Sequence, residues 1–143
     1  MQDVSSVPLY NGDDKEAGPP ATVSALHQAV RTASGLVMFS PEFSSSPPTV
    51  TENVIGWLSR DPSTWESTEF TMVAMTPGGR AGLGAREHFE AIMPRQAFRL
   101  FPTIGFGNCS ELFGDDSEIN GQTTRDEHAD FIARFAEHCA STD

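Results

Sequence analysis

The sequence predicts an α/β fold built on a mostly parallel sheet, and three observations carry that prediction. Two short apolar runs, GLVMF at 35–39 and FTMVAM at 70–75, lack polar alternation, as parallel strands covered on both faces do. Segments with apolar residues at helical spacing stand before, between and after them. The two patterns alternate along the chain as loop, helix, strand, helix, strand, helix, strand, helix, the order that builds parallel β–α units. The 143 residues suit one domain with one core, spanning 1–143.

The elements follow in order. Asn11 to Pro20 (NGDDKEAGPP) reads as a charged, turn-rich loop. Val23, Leu26, Ala29 and Val30 share one helical face after Thr22. The first strand, Gly35–Phe39, runs into the polar loop Ser40–Pro48. Thr49-x-x-Glu52 has the form of a capping box, and Val50, Val54, Ile55 and Leu58 recur behind it with Trp57 beside the stripe. The second strand ends in Thr76-Pro-Gly-Gly-Arg80. A helix is predicted from Leu83 to Met93, with Pro94 as its stop. Phe98–Phe101 and Ile104–Phe106 form one bent strand or two pieces. An acidic loop around Asp115–Gly121 precedes a last helix starting near Thr124, with Thr124-x-x-Glu127 as its cap and Phe131, Ile132, Phe135, Ala136 and Cys139 as its buried stripe.

Composition narrows the functions. A net charge of −11, from 9 basic and 20 acidic residues, opposes general affinity for nucleic acid or an anionic membrane. It does not oppose a small anion, which local N–H groups can hold within an acidic protein. No run approaches the ~20 apolar residues of a membrane span. The segment MQDVSSVPLY has neither a basic nor an apolar region of a signal peptide. Cys109 and Cys139 lack metal or redox spacing and read as reduced, partly buried thiols of a cytoplasmic protein. The four histidines, His27, His88, His128 and His138, show no paired metal spacing and read as surface helix residues. Asp115–Gly121 lacks the spacing of a calcium loop, and no serine stands in G-x-S-x-G.

Both unusual loops, Ser40–Pro48 and Thr76–Gly82, directly follow strands. In a parallel α/β sheet that places them at the carboxyl edge, where ligands sit.

The residues of those loops resemble a known family. The stretch Pro41-Glu-Phe-Ser-Ser-Ser-Pro-Pro48, continuing through Asn53-Val-Ile-Gly-Trp57-Leu-Ser-Arg60, is similar without a gap to the pattern T-P-E-Y-N-G-S-x-P-G-x-L-K-N-A-I-D-W-L-S-R of NADPH-dependent FMN reductases. That family includes flavodoxin-like quinone, chromate and azo-dye reductases. Pro8-Leu-Tyr-Asn11 resembles its P-L-Y-N turn and Thr76-Pro-Gly-Gly-Arg80 its S-P-G-G-R loop, in the family's order.

The resemblance implies a flavodoxin-like parallel sheet with helices on both faces. It also implies FMN as cofactor, NAD(P)H as electron donor, a small-molecule electron acceptor, and homodimers or tetramers. Pro41, Glu42, Phe43 and Ser44 would contact one side of the flavin ring. Thr76, Pro77, Gly78, Gly79 and Arg80 would contact the other. Proline stiffens such loops, and glycine lets backbone N–H donors approach a ring closely. No side chain need act as general acid or base, because the cofactor carries the chemistry. Family members carry a first strand, a phosphate loop and a helix before P-L-Y-N. Only seven residues precede Pro8 here, so the fold implied is one with its first strand and helix missing, and strand 2 reduced to Asp3–Val7. The alternative to an active reductase is a non-catalytic remnant that binds or oligomerises. Within the long motif Phe43 stands for tyrosine, Ser44 for asparagine, Ser45 for glycine and Gly56 for aspartate. The change at 45 matters where that residue takes positive φ.

Overall fold

Residues 3–96, 98–113 and 118–141 are described by a computed structural model of the chain. Four strands make one parallel sheet: β1 (Gly35–Ser40), β2 (Glu69–Met75), β3 (Arg99–Leu100) and β4 (Ile104–Phe106). β1 pairs with β2 from Gly35↔Glu69 to Ser40↔Ala74. On the other side of β2, β3 and β4 follow one another, pairing Phe70↔Leu100 and Val73↔Ile104. They are one bent strand in two pieces. Pro102, which has no N–H to give a ladder, stands at the break. There the Thr71 hydroxyl donates to the Pro102 carbonyl and the Phe101 N–H to the Phe70 carbonyl, both at 2.8 Å.

Alternating side chains of the sheet feed two unequal cores. On one face Met38, Phe70 and Met72 pack against α2 (Ala21–Arg31), α3 (Thr49–Leu58) and α4 (Leu83–Ile92), through Leu26, Val30, Ile55, Leu58 and Phe89. Each such side chain contributes about 1.5–3 kcal/mol by leaving water. On the other face Val73 and Phe106 meet Phe131 of α6 (Gln122–Ser141). Helices thus cover both faces of a parallel sheet, in agreement with the α/β flavodoxin-like prediction. No helix among the described residues is long and apolar enough to cross a membrane.

Several local expectations are corrected. β1 is not covered on both faces: Phe39 is 64% exposed. Among the described residues no strand pairs with β1 opposite β2, and α6 reaches only part of that face. In α2 the buried set is Val23, Leu26, His27 and Val30, with Ala29 exposed. His27 is therefore no surface histidine; it accepts burial because its Nδ1 lies 2.6 Å from the Thr64 hydroxyl. α6 buries only Phe131, Phe135 and Cys139, spaced by four. Ile132 and Ala136 fall on its flank and are exposed.

Neither capping box forms. Pro48 occupies the N-cap of α3 without a side-chain bond, and α6 begins at Gln122, before Thr124. Part of the predicted loop 11–20 is a short helix, α1 (Gly12–Ala17), because the Asn11 side chain accepts the Asp13 N–H. Asp3–Val7 is a turn closed by Val7 N–H on the Val4 carbonyl, not a strand. Four residues, Cys109–Leu112, form a further helical turn, α5. The acidic loop lies partly outside the described residues, which omit 114–117.

Two polar clamps fix the frame. The Trp57 indole donates to the Pro8 carbonyl at 2.8 Å, and Asn53 accepts the Tyr10 N–H at 2.8 Å while donating to Pro8 at 2.9 Å. This holds the P-L-Y-N segment on α3. At the start of β2, buried Glu69 binds Arg99 at 2.6 Å and His138 at 3.3 Å. The carboxylate so joins β2 to β3 and α6, and its burial is tolerable because it is paired.

Candidate functional site

The loops after β1 and β2 do meet at the carboxyl edge of the sheet, and each is built differently. The first closes as a two-residue turn. Phe43 and Ser46 exchange backbone hydrogen bonds at 2.9 and 3.0 Å, and Ser44 and Ser45 between them have φ of 52° and 60°. Two successive left-handed residues make a type I′ turn, for which Asn-Gly is the preferred pair. Serine at both places stores backbone strain, since a left-handed L-residue costs about 1–2 kcal/mol.

What holds the turn is the neighbouring helix. α4 begins at a left-handed Gly82 that has no capping side chain, and its first turn carries no acid. Glu42 supplies what is missing: its carboxylate accepts the Ala85 N–H at 3.0 Å. A carboxylate there satisfies an orphan donor and complements the helix dipole. Ser46 fastens the other side of the turn. Its hydroxyl donates to Glu52 of α3 at 2.8 Å and lies 2.8 Å from Nδ1 of His88 in α4. Gly84 permits the contact, because a Cβ there would stand 2.8 Å from the Ser45 carbonyl oxygen. Phe43 projects from the turn, 64% exposed, and Pro41 and Ser44 are exposed beside it.

The second loop is organised around one carbonyl. The oxygen of Gly78 accepts from the Thr76 hydroxyl at 3.1 Å and from the N–H groups of Ala81 and Asn108 at 3.4 Å. Because a trans peptide sets C=O and the following N–H in opposite directions, an inward Gly78 carbonyl turns the Gly79 N–H outward. Among the described residues the N–H groups of Gly78, Gly79 and Arg80 have no hydrogen-bond partner. Pro77, Gly78, Gly79 and Arg80 are exposed, whereas Thr76 is buried. A Cβ on Gly78 would meet nothing within 4 Å, and one on Gly79 only the Asn108 side chain at 3.6 Å. The chain's own packing does not demand glycine at either place. The loop rests on β4, where Gly105 passes so close to the Ala81 carbonyl that no Cβ fits. The Arg86 guanidinium donates to that same carbonyl at 3.2 Å.

All nine residues singled out from the sequence therefore lie on two adjacent loops, but they divide in role. Glu42 is committed to α4, and Thr76 to its own loop. Pro41, Phe43, Ser44 and Pro77–Arg80 present surface. The residues missed were Ser46, Glu52, His88, Gly84, Gly105 and Asn108, which support rather than line the edge. One signal was available: Gly82-Leu-Gly-Ala85 starts a helix with no cap of its own, so an acceptor had to come from elsewhere.

The α6 side of this edge holds a small apolar hollow of about 130 Å³, between Phe39, Phe106, His128 and Ile132. His128 leans on the Phe106 ring, and its buried Nε2 has no hydrogen-bond partner. Burial lowers its pKa below the usual 6.5, opposed by the nearby Glu127 carboxylate. Among the described residues no group of three potential ligands could hold a metal ion.

Comparison with known proteins identifies the family. A family described as NADPH-dependent FMN reductase matches residues 1–106. A quinone reductase of Pseudomonas putida is 28% identical over 94% of this chain and 74% of its own length. A quinone reductase of Escherichia coli K12 is 43% identical over 43% of this chain, which is 34% of its own length. A 2-hydroxy-1,4-benzoquinone reductase of a Burkholderia species is 27% identical over 97% of this chain and 75% of its own. Among solved structures, the flavoenzyme NAD(P)H:(acceptor) oxidoreductase FerB from Paracoccus denitrificans superposes with a TM-score of 0.85 at 17% identity. It does so over 99% of this chain and 79% of its own, a likeness of fold.

Proposed function

The chain belongs to the NADPH-dependent FMN reductases, oxidoreductases whose cofactors are FMN and NAD(P)H, and we propose that its two edge loops hold the flavin ring for electron transfer to a small acceptor. Quinones, free flavin, metal oxyanions and azo compounds are the acceptor classes, and the working form is a cytoplasmic homodimer or tetramer. The observation that carries this reading is the outward Gly79 N–H within three successive unpartnered donors, on a loop whose glycines leave open space above them.

The residues present fit the ring of the cofactor. Two-electron chemistry, with hydride coming from nicotinamide, is what FMN supplies when bound. Gly78, Gly79 and Arg80 would donate backbone hydrogen bonds to heteroatoms of the ring. Pro77 would hold that backbone stiff, and the Arg80 guanidinium would favour negative charge on the ring. Thr76 acts from beneath by fixing the Gly78 carbonyl inward. Across the edge, Phe43 would form an apolar wall beside Pro41 and Ser44. Glu42 sets the spacing of the two loops through α4. The phosphate of FMN has no matching nest among the described residues. Charge-assisted bonds of that kind contribute roughly 1.5–3 kcal/mol each, so ring contacts dominate the affinity expected of this chain.

A turnover assay tests the reading. Purified protein with excess FMN, NADH or NADPH and benzoquinone should oxidise the nicotinamide faster than FMN alone. Equal rates with and without protein would contradict it. A second reading is a binding or oligomerising module without turnover, favoured by the exposed Phe39 and Ile132 beside the edge of β1 that has no strand partner among the described residues. Flavin binding with no rate enhancement would select it.

A further inference from the structure

A groove of about 510 Å³ opens between α1, α2 and α3, away from the two loops. α2 runs antiparallel to β1, which it precedes, and α3 runs back from the end of β1 toward the start of β2. The charged residues Arg31, Arg60 and Asp61 at the ends of these helices therefore stand nearer the amino edge of the sheet. The volume is that of a small-molecule site.

Its lining concentrates positive charge. Lys15 of α1, Arg31 of α2 and Arg60 beyond α3 all border it. The whole chain has only 9 lysines and arginines against 20 acids, so a third of the cations border one groove of an otherwise strongly acidic protein. The one carboxylate in the lining among the described residues is Asp61. Its Oδ2 is shared between Arg31 at 3.6 Å and His27 at 3.7 Å. Hydrogen bonding from Ser63 holds the Asp61 carboxyl below its ordinary range, so it stays charged. Lys15 and Arg60 have no carboxylate partner among the described residues. Arg60 lies 4.8 Å from the centre of the Tyr10 ring, a contact that orients a guanidinium without neutralising it. Three cations against one carboxylate leave an uncompensated excess.

The geometry points to this groove as a binding site for a small phosphorylated molecule, its phosphate received by Lys15, Arg31 and Arg60. A phosphate monoester carries about −1.5 to −2 charges at neutral pH, which matches the excess. Guanidinium forks suit its oxygens, and the lysine adds a point charge. Ser24 and Gln28, also in the lining, offer neutral hydrogen bonds to the rest of the ligand. The site is separate from the flavin loops, so its occupancy would not compete with flavin.

Inorganic pyrophosphate is the probe. It is titrated into the full chain at constant ionic strength while backbone amide NMR shifts are followed. Saturable shifts are expected at Lys15, across residues 24–31 and across 57–64. The double variant Lys15→Gln/Arg60→Gln should weaken the apparent affinity by about tenfold or more. Should loss of the Tyr10 contact unfold that variant, Lys15→Gln alone, on an exposed helix, should still weaken it severalfold. Shifts that never saturate, shifts confined to residues 76–82, or unchanged titrations in the variants would overturn the proposal.

Discussion

The loops after β1 and β2 share one edge of the sheet, yet they solve opposite problems. The loop at 41–48 places two serines where a left-handed backbone is required and is held by bonds to α3 and α4 through Glu42 and Ser46. The loop at 76–82 puts glycines where its own packing would admit a side chain, and leaves three N–H groups unused. One loop bonds its polar groups to itself and its neighbours; the other, among the described residues, leaves its N–H groups exposed and without a partner in the chain. On the proposed function, the second loop would supply ring donors and the first would supply shape.

Substitutions can break that contrast, and the largest effect should come from beneath the second loop. Gly105→Ala would drive a methyl group into the Ala81 carbonyl. Urea denaturation should show a loss of about 3 kcal/mol, the upper range for overpacking; a variant as stable as the parent would refute the close approach. Next comes Glu42→Ala, which removes the only side-chain acceptor on the α4 N-terminus among the described residues. A loss of about 1–2 kcal/mol is expected, and an unchanged denaturation midpoint would show the cap to be idle. Ser45→Gly should act in the other direction. Relief of the left-handed strain, offset by glycine's greater unfolded entropy, should raise stability by about 0.5–1 kcal/mol. A drop would mean that the serine side chain contributes more than its backbone costs.

The smallest effect concerns pH. Burial lowers the pKa of His27 below 6.5, countered in part by the Asp61 carboxylate, and His128 shifts the same way. Between the folded values and 6.5 the unfolded chain binds more protons. Their contribution is therefore complete above about pH 6.5 and is lost as pH falls through 6.5 toward the folded values. Replacing both histidines by glutamine should flatten that part of a stability–pH profile; an identical slope would assign it to other groups.

The sequence made the layout legible where pattern and tertiary structure agree. GLVMF and FTMVAM are parallel strands, and the apolar spacing at 23–30, 54–58 and 131–139 does mark buried helix faces. It also placed both loops at one edge, because each directly follows a strand. What it missed depends on three-dimensional neighbours. The apolar run at 35–39 carries no mark that, among the described residues, β1 is paired on one side only, so Phe39 read as covered. His27 is buried only because Thr64, 37 positions away, meets it. Thr49-x-x-Glu52 has the spacing of a cap, but Glu52 is drawn to Ser46 and His88. The Glu42 bond to α4 spans 43 residues, beyond any local pattern.

Flavin binding tests the central claim most directly. The purified chain would be titrated into FMN and, separately, into riboflavin, following the quenching of flavin fluorescence, with Gly78→Asp in parallel. Gly78 is exposed and a Cβ there meets nothing, so the variant should keep its stability while placing a carboxylate against the ring. The account predicts saturable quenching of both flavins, with affinities within about threefold of each other, and at least about tenfold weaker binding by the variant. Absence of saturable quenching, or equal binding by Gly78→Asp, would contradict it.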